Sequence, residues 1–323
     1  MTKFKIVPLA AVLAMGLSAV GSAHAGAYAL AANNIQGFTI STGLGGTDGI
    51  TFGPSIDSCS NLATLNGVTS APSGGPGVSD CLIATVGTPI VTNNASLPPG
   101  VAITPVGPTI TNYVYADSVI RHPSGAPFDA AAIAEGHLQT SGAANGNAAN
   151  SSATGFTADF TVVTSTSIDF SFTADPIINL FLQANLRPGS FSQGVLGASL
   201  TISCQSASCG GAGVTVFSWA PNGTVSSAGG VTGTVGGIEL ADAENLNLTL
   251  TRFTAGGSTY SGGSAFGLFH AVTGDLATGD YTLSLAMNAS NALVKIVPEP
   301  GSILLVALGL IGAGVAGRRN KMR

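Results

Sequence analysis

From Phe156 onward the chain alternates apolar and polar residues, and that period of two admits few folds. Phe156, Ala158, Phe160 and Val162 alternate with polar neighbours, and Ile168, Phe170 and Phe172 repeat the pattern. Leu180, Leu182, Ala184 and Leu186 continue it after Pro176, followed by runs at residues 200–202, 214–217, 246–250 and 281–285. A strand turns successive side chains to opposite faces, so each run buries one face and wets the other. The runs are short, rich in Thr, Val, Ile and Phe, and punctuated by Gly, Ser, Asn and Asp. They predict a mainly β fold, an antiparallel β-sandwich of jelly-roll or Ig-like type with long Gly/Ser/Asn-rich loops. A strand at residues 292–297 would complete a sheet.

Two stretches break the pattern. Residues 127–139 predict a short helix, because Ala130-Ala131-Ala132-Ile133-Ala134-Glu135 has high helix propensity, although Gly136 interrupts it. Residues 141–155 are a Gly/Ala/Asn/Ser tract without apolar periodicity and read as a flexible linker or a long surface loop. Residues 26–297 read as one exported β-rich domain, best defined from Phe156 onward.

That body lies between two segments with other purposes. Lys3 and Lys5 precede an apolar run over residues 6–20 and the small-x-small site Ala23-His24-Ala25. This predicts a signal peptide over residues 1–25, cut after Ala25 and delivered to the Sec translocon. At the other end, Pro298-Glu299-Pro300 leads into residues 301–317, which carry no charge, and then into Arg318, Arg319, Lys321 and Arg323. Those 17 uncharged residues make a transmembrane helix of roughly 25 Å, just enough to cross a hydrocarbon core. The basic tail stops transfer and stays cytoplasmic, which leaves everything before Pro298 outside. The two prolines fix φ and lack donors, so the chain meets the membrane extended.

The order tripeptide, apolar span, basic tail resembles the PEP-CTERM sorting signal of Gram-negative bacteria over residues 297–323. The resemblance implies an exosortase substrate with Pro298, Glu299 and Pro300 as recognition residues. It also implies a protein held transiently in the inner membrane, then placed at the cell surface or outside in association with exopolysaccharide and biofilm. The mature start Gly26-Ala27-Tyr28-Ala29-Leu30-Ala31-Ala32-Asn33-Asn34-Ile35 and the segment Tyr115-Ala116-Asp117-Ser118-Val119-Ile120 are similar to patches of EDSAP-type PEP-CTERM proteins. This chain reads Ala-Asp-Ser where that name has Glu-Asp-Ser.

Charge narrows the partners. Residues 26–299 hold fifteen acidic residues against Arg121, Arg187, Arg252 and Lys295, a net charge of −11. Such a body repels phosphate backbones and anionic lipid, which excludes nucleic acid as a partner. Four cysteines in an exported chain favour disulfides over metal ligation. Local pairing of Cys59 with Cys81 and of Cys204 with Cys209 is the simplest of three connectivities, and zinc-type spacing is absent.

No nucleophile elbow, His-Glu-x-x-His or phosphate-cradling loop occurs, so no enzyme is predicted. His122 and His137 lie near Asp117, Asp129 and Glu135 in sequence, which reads as solvated or capped polar residues or as a metal or acid–base site. Asp169 with Asp175, and Asp242 with Glu244, would serve hydrolysis only across a cleft; a polar turn or strand face is the simpler reading of the second pair. Trp219, Tyr260 and Tyr281 are the aromatics available to a sugar-binding face, with Trp219 equally a core residue and Tyr281 a sandwich-corner residue. Asp275 and Asp280 flank a Gly-rich turn, where calcium is one reading and turn-forming aspartates the other; no cofactor is otherwise predicted. The residues together predict a non-catalytic surface or matrix protein, with a carbohydrate-binding module as the alternative and a secreted hydrolase as a third reading.

Overall fold

The computed structural model describes residues 26–72, 75–76, 80–89, 111–121, 128–139, 142–150, 154–184, 186–225, 234–261 and 266–297. The strands of the first half are β1 (Ala27–Thr42), β2 (Ile50–Cys59), β3 (Asn61–Leu65), β4 (Val68–Ser70), β5 (Gly75–Pro76), β6 (Ala84–Gly87), β7 (Tyr113–Arg121), β8 (Phe128–Leu138), β9 (Ala144–Asn150) and β10 (Thr154–Val162). Those of the second half are β11 (Ile168–Ala174), β12 (Ile177–Leu182), β13 (Phe191–Cys204), β14 (Thr215–Trp219), β15 (Thr234–Val235), β16 (Gly237–Asp242), β17 (Thr249–Arg252), β18 (Gly256–Ser261), β19 (Gly267–Thr273) and β20 (Gly279–Lys295). Among the described residues the one helix is a 3₁₀ turn at Ala207–Cys209, and no helix there is long and apolar enough to cross a membrane. The span predicted over residues 301–317 and the signal peptide over 1–25 lie outside the described residues.

Two antiparallel sheets form a sandwich. One runs β16-β19-β11-β1-β8-β7-β6, with β12 on β1 and β18 on β12. The other runs β15-β14-β13-β20-β10-β2-β5, with β17 on β13 and β9, β3 and β4 extending from β20. Alternation drives this arrangement. β13 and β20 bury every second residue, so Leu196, Ala198, Leu200 and Ile202 join Leu283, Leu285, Met287 and Leu293 in one core. Opposite them, β1, β8 and β11 contribute alanines and phenylalanines. Full burial of a side chain of Leu or Phe size stabilises by about 1.5–3 kcal/mol, so this core is the main driving force.

The predicted helix at 127–139 is instead β8. Ala130, Ala132 and Ala134 face the core while β1 and β7 supply hydrogen-bonding partners on both edges. Helix propensity is a weak prior, and a strand paired on both sides overrides it. Alanine is required here for space: a Cβ on the neighbouring Gly136 would lie 2.8 Å from Leu293 Cδ1. The tract at 141–155, read as a linker or long loop, contains β9 and the start of β10. Its inward residues are Ala144, Gly146, Ala148 and Asn150, so its period of two is carried by residues too small to look apolar. Asn291 secures it by accepting the Ala148 N–H at 3.1 Å, while Asn147 Nδ2 donates to the Asn291 carbonyl at 2.9 Å. The strands predicted around 180–186 and 246–250 are also displaced: β12 ends at Leu182 and β17 begins at Thr249.

Register fixes where the chain enters and leaves. β1 begins with Ala27 opposite Leu138 and Leu182. β20 ends with Lys295 opposite Ala144, six residues after Leu138. Gly26 and Ile296 therefore emerge from the same end of the sandwich, here termed the exit end. The connections after β1, β10 and β13 lie at the far end, where β20 starts.

Candidate functional site

The exit point is built from the last residue of the sheet. Ile296 donates its N–H to Ser190 Oγ at 2.9 Å, and its carbonyl accepts the Arg187 N–H at 2.9 Å and the Ser190 hydroxyl at 3.3 Å. Ser190 is itself buried, on the turn that leads into β13. Lys295 is fully buried on the strand's inner face, and burial pushes its ammonium below the usual lysine range. Only Val297 stands between this clamp and Pro298. The strand predicted at 292–297 is thus the end of β20, a strand flanked on both sides, and it delivers the tripeptide with almost no spacer. Pro298, Glu299, Pro300, Arg318, Arg319, Lys321 and Arg323 lie outside the described residues, as do Ala23 and Ala25. The Ser190 clamp carries no sequence signal, because a serine after Pro188-Gly189 reads only as a turn.

Gly26, the mature start that the sequence predicts, is held beside it. The Gly26 N–H donates to Gln183 Oε1 at 2.6 Å, in the same chain reversal that carries Arg187 and Ser190. Both disulfides form as paired in the sequence, Cys59–Cys81 and Cys204–Cys209. The two segments similar to EDSAP-type proteins fall in β1 and β7, which flank β8.

The titratable constellations are dispersed. Asp129 sits at the far end and accepts the Gly37 N–H at 2.8 Å, away from His137 and Glu135 at the exit half. His122 lies outside the described residues. His137 donates from Nδ1 to the Thr111 carbonyl at 2.9 Å, and burial holds its imidazole below the ordinary histidine range. Glu135, fully buried, accepts the phenols of Tyr28 at 2.7 Å and Tyr113 at 3.2 Å. Burial, then the Glu135 charge, raises the Tyr113 phenol. This cluster escapes sequence reading, because two tyrosines 85 positions apart meet one glutamate only through strand order.

Asp169 pairs with His270 at 2.8 Å on the outer face, while Asp175 is buried on the next connection, its N–H bonded to the Asn34 carbonyl at 3.0 Å. Asp242 ends β16 and holds a polar turn from there: its Oδ2 accepts the backbone N–H groups of Asn222, Gly223 and Thr224 at 2.8–3.3 Å. Burial raises the carboxyls of Asp175, Asp242 and Glu244, with the Asp175 charge adding to the effect at Glu244. Among the described residues no group of three or more His, Cys, Asp or Glu side chains is placed to hold a metal.

The aromatics are structural. Trp219 is 0% exposed and donates its indole N–H to Glu239, so of its two readings the core residue holds and the sugar platform does not. Tyr281 stacks on Phe160 at 5.4 Å and donates its hydroxyl to the Ala277 carbonyl at 2.7 Å, as a sandwich-corner residue does. Tyr260 is half-buried, its oxygen accepting the Asn245 N–H at 2.7 Å.

At the far end a cleft of about 480 Å³ opens among Thr51, Asp159, Thr161, Gln205, Asp280 and Thr282. Thr161 donates to Asp280 and Thr282 to Asp159, each at 2.7 Å. Asp280 thus has a hydroxyl partner, and it lies five positions after Asp275.

With this geometry in place, comparison with known proteins adds one positive finding. Residues 297–320 match the family model of the PEP-CTERM protein-sorting motif, so the chain carries that motif directly after the clamped strand end. The motif marks an exported protein that is transiently anchored in a membrane and processed by an exosortase. No curated protein matches. A solved structure described as that of infectious bursal disease virus Gt strain is 13% identical, over 91% of this chain and 87% of that one. Its TM-score of 0.10 carries no argument.

Proposed function

We propose that this chain is a non-catalytic surface or extracellular-matrix protein whose β-sandwich is the cargo of its own sorting signal, destined for an exopolysaccharide or biofilm layer. The observation that carries this reading is the junction at Ile296. The motif matched over 297–320 follows a clamped, centrally paired strand after a single residue, so the body is delivered as one unit with its processing site. Few charges and abundant Gly, Ser, Thr and Asn suit a hydrated polysaccharide setting.

The test is intact mass and fractionation of the native protein in its own cells, beside the Glu299→Ala variant. The proposal expects a species that begins at Gly26, lacks residues 301–323 and sits in the outer layer or medium. The variant accumulates in the membrane with its basic tail retained. A full-length C-terminus recovered only from the inner membrane refutes release, and normal processing of Glu299→Ala refutes the tripeptide as the recognition element.

A second reading, a glycan-binding module, is favoured by the far-end cleft, whose hydroxyls and carboxylates match sugar hydroxyls in kind. Binding to arabinogalactan or chitosan that saturates and is lost in Asp159→Asn or Asp280→Asn would favour it over a passive matrix role.

A further inference from the structure

The net charge of the body conceals a strong polarity. Asp48, Asp129, Asp159, Asp169, Asp275 and Asp280 all lie toward the far end, with Arg121. The other three basic residues of the body lie at the exit end: Arg187 in the turn before β13, Arg252 at the end of β17 opposite Ser192, and Lys295 at the end of β20. Of the acidic residues at that end, Glu135 is buried under two tyrosine hydroxyls, and Glu299 follows three positions after Ile296 in the sequence. Removal of the signal peptide would add the ammonium of Gly26 at the same place.

Two exposed apolar residues lie there as well, as others such as Leu44 and Val163 do at the far end. Phe253, next to Arg252, is 69% exposed and touches Phe191 with ring centroids 6.0 Å apart. Val68, in the β3–β4 turn beside Asn145, is 61% exposed. Arginine beside an exposed aromatic is the composition that favours a membrane–water interface.

Chain length brings this surface to the bilayer. From Ile296, fixed to the sheet, to Gly301, where the uncharged run begins, there are five residue steps. Fully extended they span at most roughly 17 Å. The headgroup layer takes up about 5–8 Å of that. The exit end is therefore tethered within roughly 10 Å of the lipid surface, close to one Debye length at physiological ionic strength.

We infer that the exit end is a membrane-contact surface, which lays the sandwich on the anionic headgroups of the bilayer through Arg187, Arg252, Phe253 and Val68 while the chain is anchored. This rests on the anchored intermediate of the proposed function and adds an orientation to it. The acidic far end then points away from the lipid. The body as a whole is expected to be repelled by anionic lipid; at this end the distribution of charge reverses that expectation.

The experiment uses the full chain reconstituted into vesicles of phosphatidylethanolamine and phosphatidylglycerol, and separately into phosphatidylcholine. Flotation reports anchoring, and hydrogen exchange reports contact. In the anionic vesicles, amides around residues 66–69, 187–191 and 252–256 should exchange more slowly than in phosphatidylcholine, with residues 44–49 and 274–280 unchanged. One arginine near an anionic surface is worth about fivefold in partitioning, so Arg187→Glu with Phe253→Asp should remove most of the protection. These are exposed side chains, so the variant keeps its fold, and unaltered core exchange checks this. Equal protection in both lipids, protection at the far end, or protection that survives the double variant overturns the contact. Failure to float overturns the anchored reading instead.

Discussion

The exit end and the far end are made by the same strands, yet they are packed on different principles. At the exit end the inner residues are Ala27, Ala29, Ala31, Ala134, Gly136, Ala144 and Gly146, met by Leu293, Leu138 and Val114. A Cβ on Gly136 or Gly146 would fall 2.8 Å from a neighbouring methyl. Toward the far end the core thickens into Phe38, Phe128, Phe156, Phe170 and Phe172, with Phe38 and Phe156 each 4.4 Å from Phe128. One end is limited by space and the other by the amount of side chain that fills it. The difference teaches that a uniform alternating pattern builds a non-uniform slab, whose thin end carries the termini and whose thick end carries the phenylalanine cluster.

The largest effect should come from hollowing the thick end. Phe172→Ala removes a ring stacked on Phe269 at 5.0 Å and should cost about 3–5 kcal/mol, measured by urea unfolding. The disulfides come next. Replacing Cys59 and Cys81 by serine opens a separation of 22 residues and should cost about 3 kcal/mol. The Cys204–Cys209 pair, separated by 5, should cost about 2 kcal/mol by the same loop entropy. Equal losses would show that native-state packing, and not loop length, sets their worth.

At the thin end the sign of the volume change is what matters. Gly136→Val should destabilise by about 1–3 kcal/mol through overpacking, although valine is the better strand former. If it stabilises the protein, the two ends do not differ as described.

Lowering the pH sharpens the contrast without mutation. The histidine at the exit half, His137, has its folded pKa held by burial below the ordinary histidine value of about 6.5. The unfolded chain therefore binds the proton first, and its contribution, complete above that value, declines as pH falls below it. Asp175, Asp242 and Glu244 have folded values raised by burial, so the folded state takes up protons first and gains stability as pH falls toward them. Hydrogen exchange compared at pH 7 and about 5.5 should show β8 loosening relative to β16, a difference set by which group gains the proton in the folded state. The smallest effect is expected at the surface pair of His270 with Asp169, where His270→Ala should cost about 0–1 kcal/mol.

Much of this was legible in the residues themselves. β10, β11, β13 and β20 alternate large apolar with polar residues, and such strands declare themselves. Both cysteine pairings followed from local closure. The sorting motif is a linear signal, and it reads without a fold because contiguous residues carry it. β8 and β9 were not legible, since alanine, glycine and asparagine alternate without contrast in hydropathy. Trp219 could not be assigned to core or surface from its neighbours, because its burial depends on Phe172 and Glu239 arriving from other strands.

The sequence by itself determined the fold class and the sorting signal, because each is encoded within a few neighbouring residues; of three cysteine connectivities it offered local pairing as the simplest, and the structure decided for it. Only the tertiary structure decided that Gly26 and Ile296 share one end, that three of the body's four basic residues gather there, and that Glu135 lies beneath two tyrosines. Those facts depend on strand order and register, which bring distant residues together through hydrogen bonds whose partners are not specified by any local pattern.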